Sequence, residues 1–229
     1  MKKTNILNLF TAAILFAVIH VIAAVLGILQ LPETVPTHFD MHWVCDGIGS
    51  KWNLLIIAFL PLILGGSMCA FSARKREKNK KVMSILSLLL MVFFSAMFWL
   101  YYQTAASGIQ LGEQTDAQAI TTVLPLLYAM LFIILGNYLP TIQPNHTLGL
   151  RVSWTLNNPQ CWRVTHRFAG KLWVITGLLL CVFVLIGFLL HQSGMLWFFI
   201  VFFEMMTVNI TVPCIYAYIH KDESTETAK

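Results

Sequence analysis

The sequence predicts an all-α polytopic membrane protein with about six transmembrane helices. Three observations carry that prediction: an excess of apolar residues, their collection into bilayer-length runs, and the sorting of basic residues into alternate loops. Of 229 residues, 58% are hydrophobic and 11% charged, with a mean hydropathy of +0.73. Soluble domains average about 45–50% apolar and ~25% charged, so a globule of this size has no interior large enough to hide such a surface.

The apolar runs lie at about 6–29, 53–72, 82–103, 120–139, 171–190 and 195–219. About 20 residues at 1.5 Å rise cross a ~30 Å hydrocarbon core. None shows the ~10-residue alternation of a membrane β-barrel. The first run follows Lys2 and Lys3, as a secretory signal would. It exceeds the roughly 7–15-residue core of a signal and has no small-residue cleavage site, so it is expected to stay as an anchor.

Orientation follows from the short loops. The 73–81 loop holds Arg74, Lys75, Arg76, Lys78, Lys80 and Lys81; the 140–170 loop holds Arg151, Arg163 and Arg167 and no acid. Both are predicted to be cytoplasmic, with both termini. The 30–52 loop, with Lys51 its one cation, and the 104–119 loop, with Glu113 and Asp116, belong outside. The net charge of +5 is then a topology signal facing anionic membrane lipids, and no direct nucleic-acid partner is expected. Cys45 is alone among the five cysteines in an outer loop, which leaves an outer intramolecular disulfide without a partner.

Two loops are more than connectors. In the outer one, residues 35–43 alternate, with Phe39, Met41 and Trp43 on one side and His38, Asp40 and His42 on the other. That is the period of a strand. Asp46-Gly47 is a turn signal, so a short extracellular hairpin is expected. Its polar face admits two readings: a solvated binding surface, or a two-His-one-carboxylate site for a divalent transition metal.

The inner loop holds Asn158-Pro159, an N-cap followed by a first-turn proline. On the helix it opens, Trp162, Thr165, His166 and Ala169 share one face, and Arg163, Arg167 and Lys171 share the next. A cytoplasmic interfacial helix is expected, with its tryptophan among lipid headgroups and its cations toward phosphates. Arg151 has no acid in its loop to pair with, so its guanidinium is expected on loop carbonyls or a phosphate.

Glu204 is the one acidic residue well inside a predicted span, and an intramembrane carboxylate calls for a partner or a function. Counted from the outer ends, Glu204 and His20 sit at similar depths. A ligand-binding outer site is therefore expected from His20, His38, Asp40, His42, Asp46 and Glu204. A cytoplasmic set of Asn145, Arg151, Trp154, Trp162, His166 and Arg167 is expected to serve recognition or structure.

The ordered set Asn137, Leu139-Pro140, Pro144-Asn145, Gly149-x-Arg151, Trp154-Thr-Leu156, Trp162, Thr165-His-Arg167 and Gly170 resembles the signature of the SdpI family, bacterial membrane proteins named for immunity to a sporulation-delaying toxin. Pro36-x-His38-x-Asp40, Asp46-Gly47 and Gly49-Ser-Lys51 resemble the small domain of unknown function that commonly precedes it. The resemblance implies an N-terminal domain over 1–72, an SdpI-like domain over 82–219 and a tail over 220–229. It further implies a multi-pass protein of the bacterial cell membrane, not an enzyme, that protects against a membrane-active peptide toxin met at the outer face. A sensing role that sequesters a cytoplasmic autorepressor belongs to the same implication. The alternatives are a membrane metal-dependent enzyme or a transporter with a polar site near the outer face. The outer domain often carries Asn where this chain has Asp40, and His42 lies outside the pattern.

Overall fold

The computed structural model describes residues 3–72, 79–115, 118–190 and 195–222. Most of the basic loop at 73–81, the turn at 191–194 and the tail from 223 lie outside the described residues.

Each expected apolar run is helical: α1 (Lys3–Gln30), α2 (Leu54–Leu60) and α3 (Gly66–Ser72) joined by a π-helical turn at Pro61–Gly65, α4 (Lys80–Ala106), α5 (Gln118–Tyr138), a short α6 (Ser153–Asn157), α7 (Pro159–Leu189) and α8 (Met195–Ile219). Among the described residues five stretches are long and apolar enough to cross a membrane, and Met205–Ile219 of α8 is a shorter apolar helix. The chain is a polytopic α-helical membrane protein. Its surface says so residue by residue. On α1 the exposed stripe is Leu15, Ile19, Ile22, Leu26 and Leu29, while Ala13, Ala17, His20, Ala24 and Ile28 are buried. The greasy face points outward and small residues point inward, as lipid solvent and close helix packing require.

The chain divides into two compact units, Met1–Leu124 with Ser193–Met195, and Pro125–Gln192 with Leu196–Lys229. In the first, α1 and α4 run parallel. Tyr102 donates to the Gly27 carbonyl at 3.3 Å, His20 meets Phe98, and Ala13 and Ala17 share a cluster with Met91. At the π turn, Pro61 has no N–H to give. Ser87 Oγ donates to the Gly65 carbonyl at 2.5 Å, and a Cβ on Gly65 would come within 3.0 Å of the Ser87 carbonyl. A hydroxyl of α4 thus ties the π turn to its neighbouring helix.

A two-stranded antiparallel hairpin, β1 (Thr34–Phe39) with β2 (Cys45–Ser50), sits over the ends of α1 and α4. The predicted strand is shorter than expected and the turn lies elsewhere. Asp40 Oδ1 accepts from His42 N at 2.8 Å and Val44 N at 2.9 Å, and Trp43 adopts φ 61°. The aspartate's own local bonds end the strand there, and Asp46-Gly47 falls inside β2. Gly47 and Gly49 are needed for the opposite reason to a turn: a Cβ would lie 2.9 Å from His38 Cβ or 2.8 Å from Thr37 Cγ2.

In the second unit α5 and α7 touch backbone to backbone. A Cβ on Gly170 would lie 2.6 Å from the Gly136 carbonyl, and one on Gly177 would lie 2.9 Å from the Ala129 carbonyl. α7 and α8 are joined by polar bonds inside the apolar region. Trp173 donates to the Asn209 carbonyl at 2.9 Å, and the Thr176 and Asn209 side chains bond at 3.0–3.1 Å. Phe168 stacks on Tyr216 with centroids 4.2 Å apart.

Asn158 caps α7 as expected, accepting from Gln160 N at 2.9 Å and Cys161 N at 3.1 Å. What is corrected is the expected place of the tryptophan among lipid headgroups. The helix runs unbroken for 31 residues into the fifth span, and Trp162 is 0% exposed because its own loop covers it.

Candidate functional site

The loop that precedes α7 folds back onto that helix through four side chains. Asn145 turns the chain: its Oδ1 accepts from Thr147 N and Leu148 N, both at 2.7 Å, and its Nδ2 donates to the carbonyls of Gln143 and Leu148. Trp162 Nε1 donates to the Ile142 carbonyl at 2.8 Å. Thr155 Oγ1 donates to the Leu150 carbonyl at 2.7 Å and accepts from Val152 N at 3.2 Å. His166, stacked on Trp162 with centroids 4.0 Å apart, lies between the Leu150 N–H and the Trp162 carbonyl.

Gly149 makes this closure possible. It has φ +115°, and a Cβ there would stand 2.5 Å from His166 Nε2. The buried half of the predicted pattern, Trp162, Thr165, His166 and Ala169, therefore holds the loop through Trp162 and His166. The other half faces out: Arg151, Arg163, Arg167 and Lys171 are exposed. Arg151 Nη1 donates to the His146 carbonyl at 2.6 Å, one of the two partners the sequence offered. Trp154 packs edge-on to Tyr218 at 5.4 Å. Thr155 stood in the Trp154-Thr-Leu156 motif but not among the expected site residues, since a threonine in a short helix announces no bond of its own.

At the hairpin, the first unit brings some expected residues together and keeps others apart. His38 Nδ1 meets Asp46 Oδ1 at 2.5 Å on the exposed face. Asp40 spends its carboxylate on the turn, and the backbone N–H of Val44, then that of His42 with the His42 and His38 rings, holds its pKa below the usual carboxylate range. His38, Asp40 and His42 do not share a strand face, because the strand ends at Phe39. Among the described residues no group of three His, Cys, Asp or Glu is placed to hold a metal ion.

His20 is 5% exposed and ringed by Phe16, Phe98 and Trp99. The cluster of Ala24, Ile28, Leu31, Val35, Leu54 and Phe98 fills the space toward the hairpin, so His20 is not brought to His38, Asp40, His42 or Asp46. The Glu204 side chain, and with it the expected His20–Glu204 pairing, lies outside the described residues.

Three contacts that sequence reading missed anchor the hairpin. Lys51, 6% exposed, donates to the Leu31 carbonyl at 3.0 Å and pairs with Glu33 at 3.1 Å. Tyr101 donates to the Pro36 carbonyl at 2.9 Å. The 110–115 segment adds a third edge through Cys45 N to the Glu113 carbonyl at 2.9 Å and Thr115 N to the Trp43 carbonyl at 3.0 Å. The last contact joins residues some 70 positions apart, which no local pattern announces.

The two structured loops coincide with two family profiles. The profile of the SdpI/YfhL protein family matches residues 141–217, which holds the His166 loop, α7 and most of α8. Residues 141–217 are an SdpI/YfhL family domain. A domain of unknown function, DUF1648, matches residues 15–64 and spans His20, the hairpin and α2. A curated relative, Immunity protein SdpI of Bacillus subtilis (strain 168), is 23% identical over 180 residues, 79% of this chain and 81% of its own. No solved structure matches. The SdpI domain thus begins at the segment where the chain starts to fold back over Trp162, and its N-terminal neighbour carries the hairpin.

Proposed function

We propose that this chain is a multi-pass bacterial cell-membrane protein that makes its producer immune to a membrane-active peptide toxin. The observation that carries this reading is the similarity to an immunity protein across 79% of the chain, beside family matches over residues 141–217 and 15–64 that hold the two structured loops.

Toxin contact belongs to the hairpin end of the first unit, where His38, His42 and Asp46 are exposed. His38 and Asp40 are already engaged locally, so no metal chemistry is built on them. The test is growth of a sensitive host under peptide challenge, with and without expression of this chain. Survival only with expression supports immunity; equal killing at verified membrane expression rejects it.

A sensing role rests on a separate feature. Arg151, Arg163, Arg167 and Lys171 surround a rigid loop that contains no acid, a surface for an acidic cytoplasmic partner such as an autorepressor. Co-purification of a repressor with the membrane fraction only in toxin-treated cells would support it.

A further inference from the structure

Among the described residues of the first unit, two buried polar atoms have no hydrogen-bond partner: His20 Nε2 on α1 and Ser95 Oγ on α4. Both residues are 5% exposed. A polar group orphaned in an apolar interior costs about 1–3 kcal/mol, and such groups in folded proteins call for a specific explanation.

The parallel packing of α1 and α4 puts the two on one seam. Ala13, Ala17 and His20 repeat at i, i+4 and i+7 on α1; Met91, Ser95 and Phe98 do the same on α4. Ala13 and Ala17 share a cluster with Met91, and His20 meets Phe98 with centroids 5.4 Å apart. Ser95 therefore lies between these two levels, about one helical turn from His20 along the axis, on the stretch where α1 offers the small side chain of Ala17. Other buried hydroxyls of α4 are satisfied. Ser87 bonds the Gly65 carbonyl, and Thr104 bonds the carbonyl of Leu100 at 3.4 Å, one turn back on its own helix. Ser95 does not take that backbone option.

We infer that His20 and Ser95 together hold a buried water molecule between α1 and α4, inside the membrane-spanning part of the protein. A water needs two to four polar partners and room for about one probe sphere. An imidazole nitrogen and a hydroxyl supply one acceptor and one donor-acceptor, and Ala17 supplies space. Phe16, Phe98 and Trp99 close the site to lipid, so the water exchanges slowly. A histidine held this way has its Nε2 satisfied without a carboxylate, while the backbone of Ala58 bonds its ring.

The test is solid-state NMR of the full chain in lipid bilayers with 15N-labelled histidine, reading magnetisation transfer from water to the ring nitrogens. His20 is assigned by its loss in His20→Phe. The expected result is transfer from water to His20 Nε2, weakened about twofold by Ser95→Ala, since the water loses one of its anchors. His166, whose nitrogens bond protein atoms, is unaffected. No transfer to His20 in the folded protein, transfer unchanged by Ser95→Ala, or a direct Ser95–His20 bond would each overturn the shared site. Melting provides the second arm. Ser95→Ala combined with His20→Phe removes both orphans and is expected to melt above Ser95→Ala alone; additive losses reject the coupling.

Discussion

The backbone N–H of Leu150 donates to His166 Nε2 at 3.0 Å, and that one bond sets the protonation state of the histidine. An amide can only donate, so Nε2 must keep its lone pair. The proton is then on Nδ1, which donates to the Trp162 carbonyl at 2.8 Å. His166→Ala leaves the Leu150 N–H unpaired beneath Trp162, removes the side-chain bond to the Trp162 carbonyl, and is expected to cost about 2–4 kcal/mol. Gly149→Ala is expected to do comparable damage from the other side, because its Cβ enters the ring's space at φ +115°. Thermal unfolding in detergent checks both; a variant within about 0.5 kcal/mol of the parent would show that the loop closes without this contact.

Arg151 tests the exposed side of the same loop. Its guanidinium holds the His146 carbonyl, so Arg151→Ala is expected to loosen residues 145–151 and lower stability by about 1 kcal/mol. Lys75→Ala, in the basic loop, is expected to leave both stability and protection unchanged. Equal effects of the two substitutions on melting and on peptide survival would remove the special role of Arg151.

Asp40 makes the hairpin turn sensitive to acid. Its folded-state pKa is depressed, chiefly by the Val44 N–H. The bonded carboxylate therefore stabilises the turn above the unfolded value of about 3.9, and that contribution is lost as pH falls through the lower folded value. In an NMR titration the amide protons of His42 and Val44 are expected to move together with the Asp40 carboxyl, with a midpoint below the usual carboxylate range. Asp40→Asn should abolish that titration. A midpoint at the ordinary value would mean the two bonds do not form in the membrane-bound protein.

The α5–α7 contact depends on the absence of side chains. Gly170→Val pushes a branched chain against the Gly136 carbonyl, which a Cβ alone would approach to 2.6 Å. Overpacking of this kind is expected to cost at least about 1–3 kcal/mol. Gly66→Val, at a helical glycine whose Cβ would meet only Leu62 Cδ1 at 3.8 Å, is the control for a branched side chain in a helix. Melting of Gly170→Val at or above the control would refute the close approach.

Orientation needs introduced cysteines, because Cys45 and Cys161 are 0% and 1% exposed and neither is open to a reagent. Met41→Cys at the hairpin tip and Arg163→Cys on α7 are both exposed positions. The basic-loop asymmetry predicts that an impermeant thiol reagent labels position 41 on intact cells and position 163 only after permeabilisation. The reverse pattern would invert the topology and move the toxin-facing end to the SdpI loop.

The sequence by itself determined the class of the protein, its apolar runs and the N-cap at Asn158, because each rests on local composition: a run long enough for a bilayer, an Asn-Pro pair, a stripe of cations. It also supplied the residues of the inner loop, and the face of α7 that carries Trp162 and His166. Tertiary structure decided what those residues do. Trp162 left the headgroup layer for the interior because Gly149, through its positive φ, lets the chain fold over it. The hairpin turned at Asp40 rather than at Asp46-Gly47 because two backbone N–H groups could reach one carboxylate. Lys51, Tyr101 and the 110–115 segment became hairpin anchors only when parts of the chain far apart in sequence were packed side by side. Whether His20 faced the hairpin or a sealed seam was a matter of helix rotation and packing, which a period of 3.6 residues constrains and only the neighbours, Phe98, Trp99 and the apolar layer above them, settle.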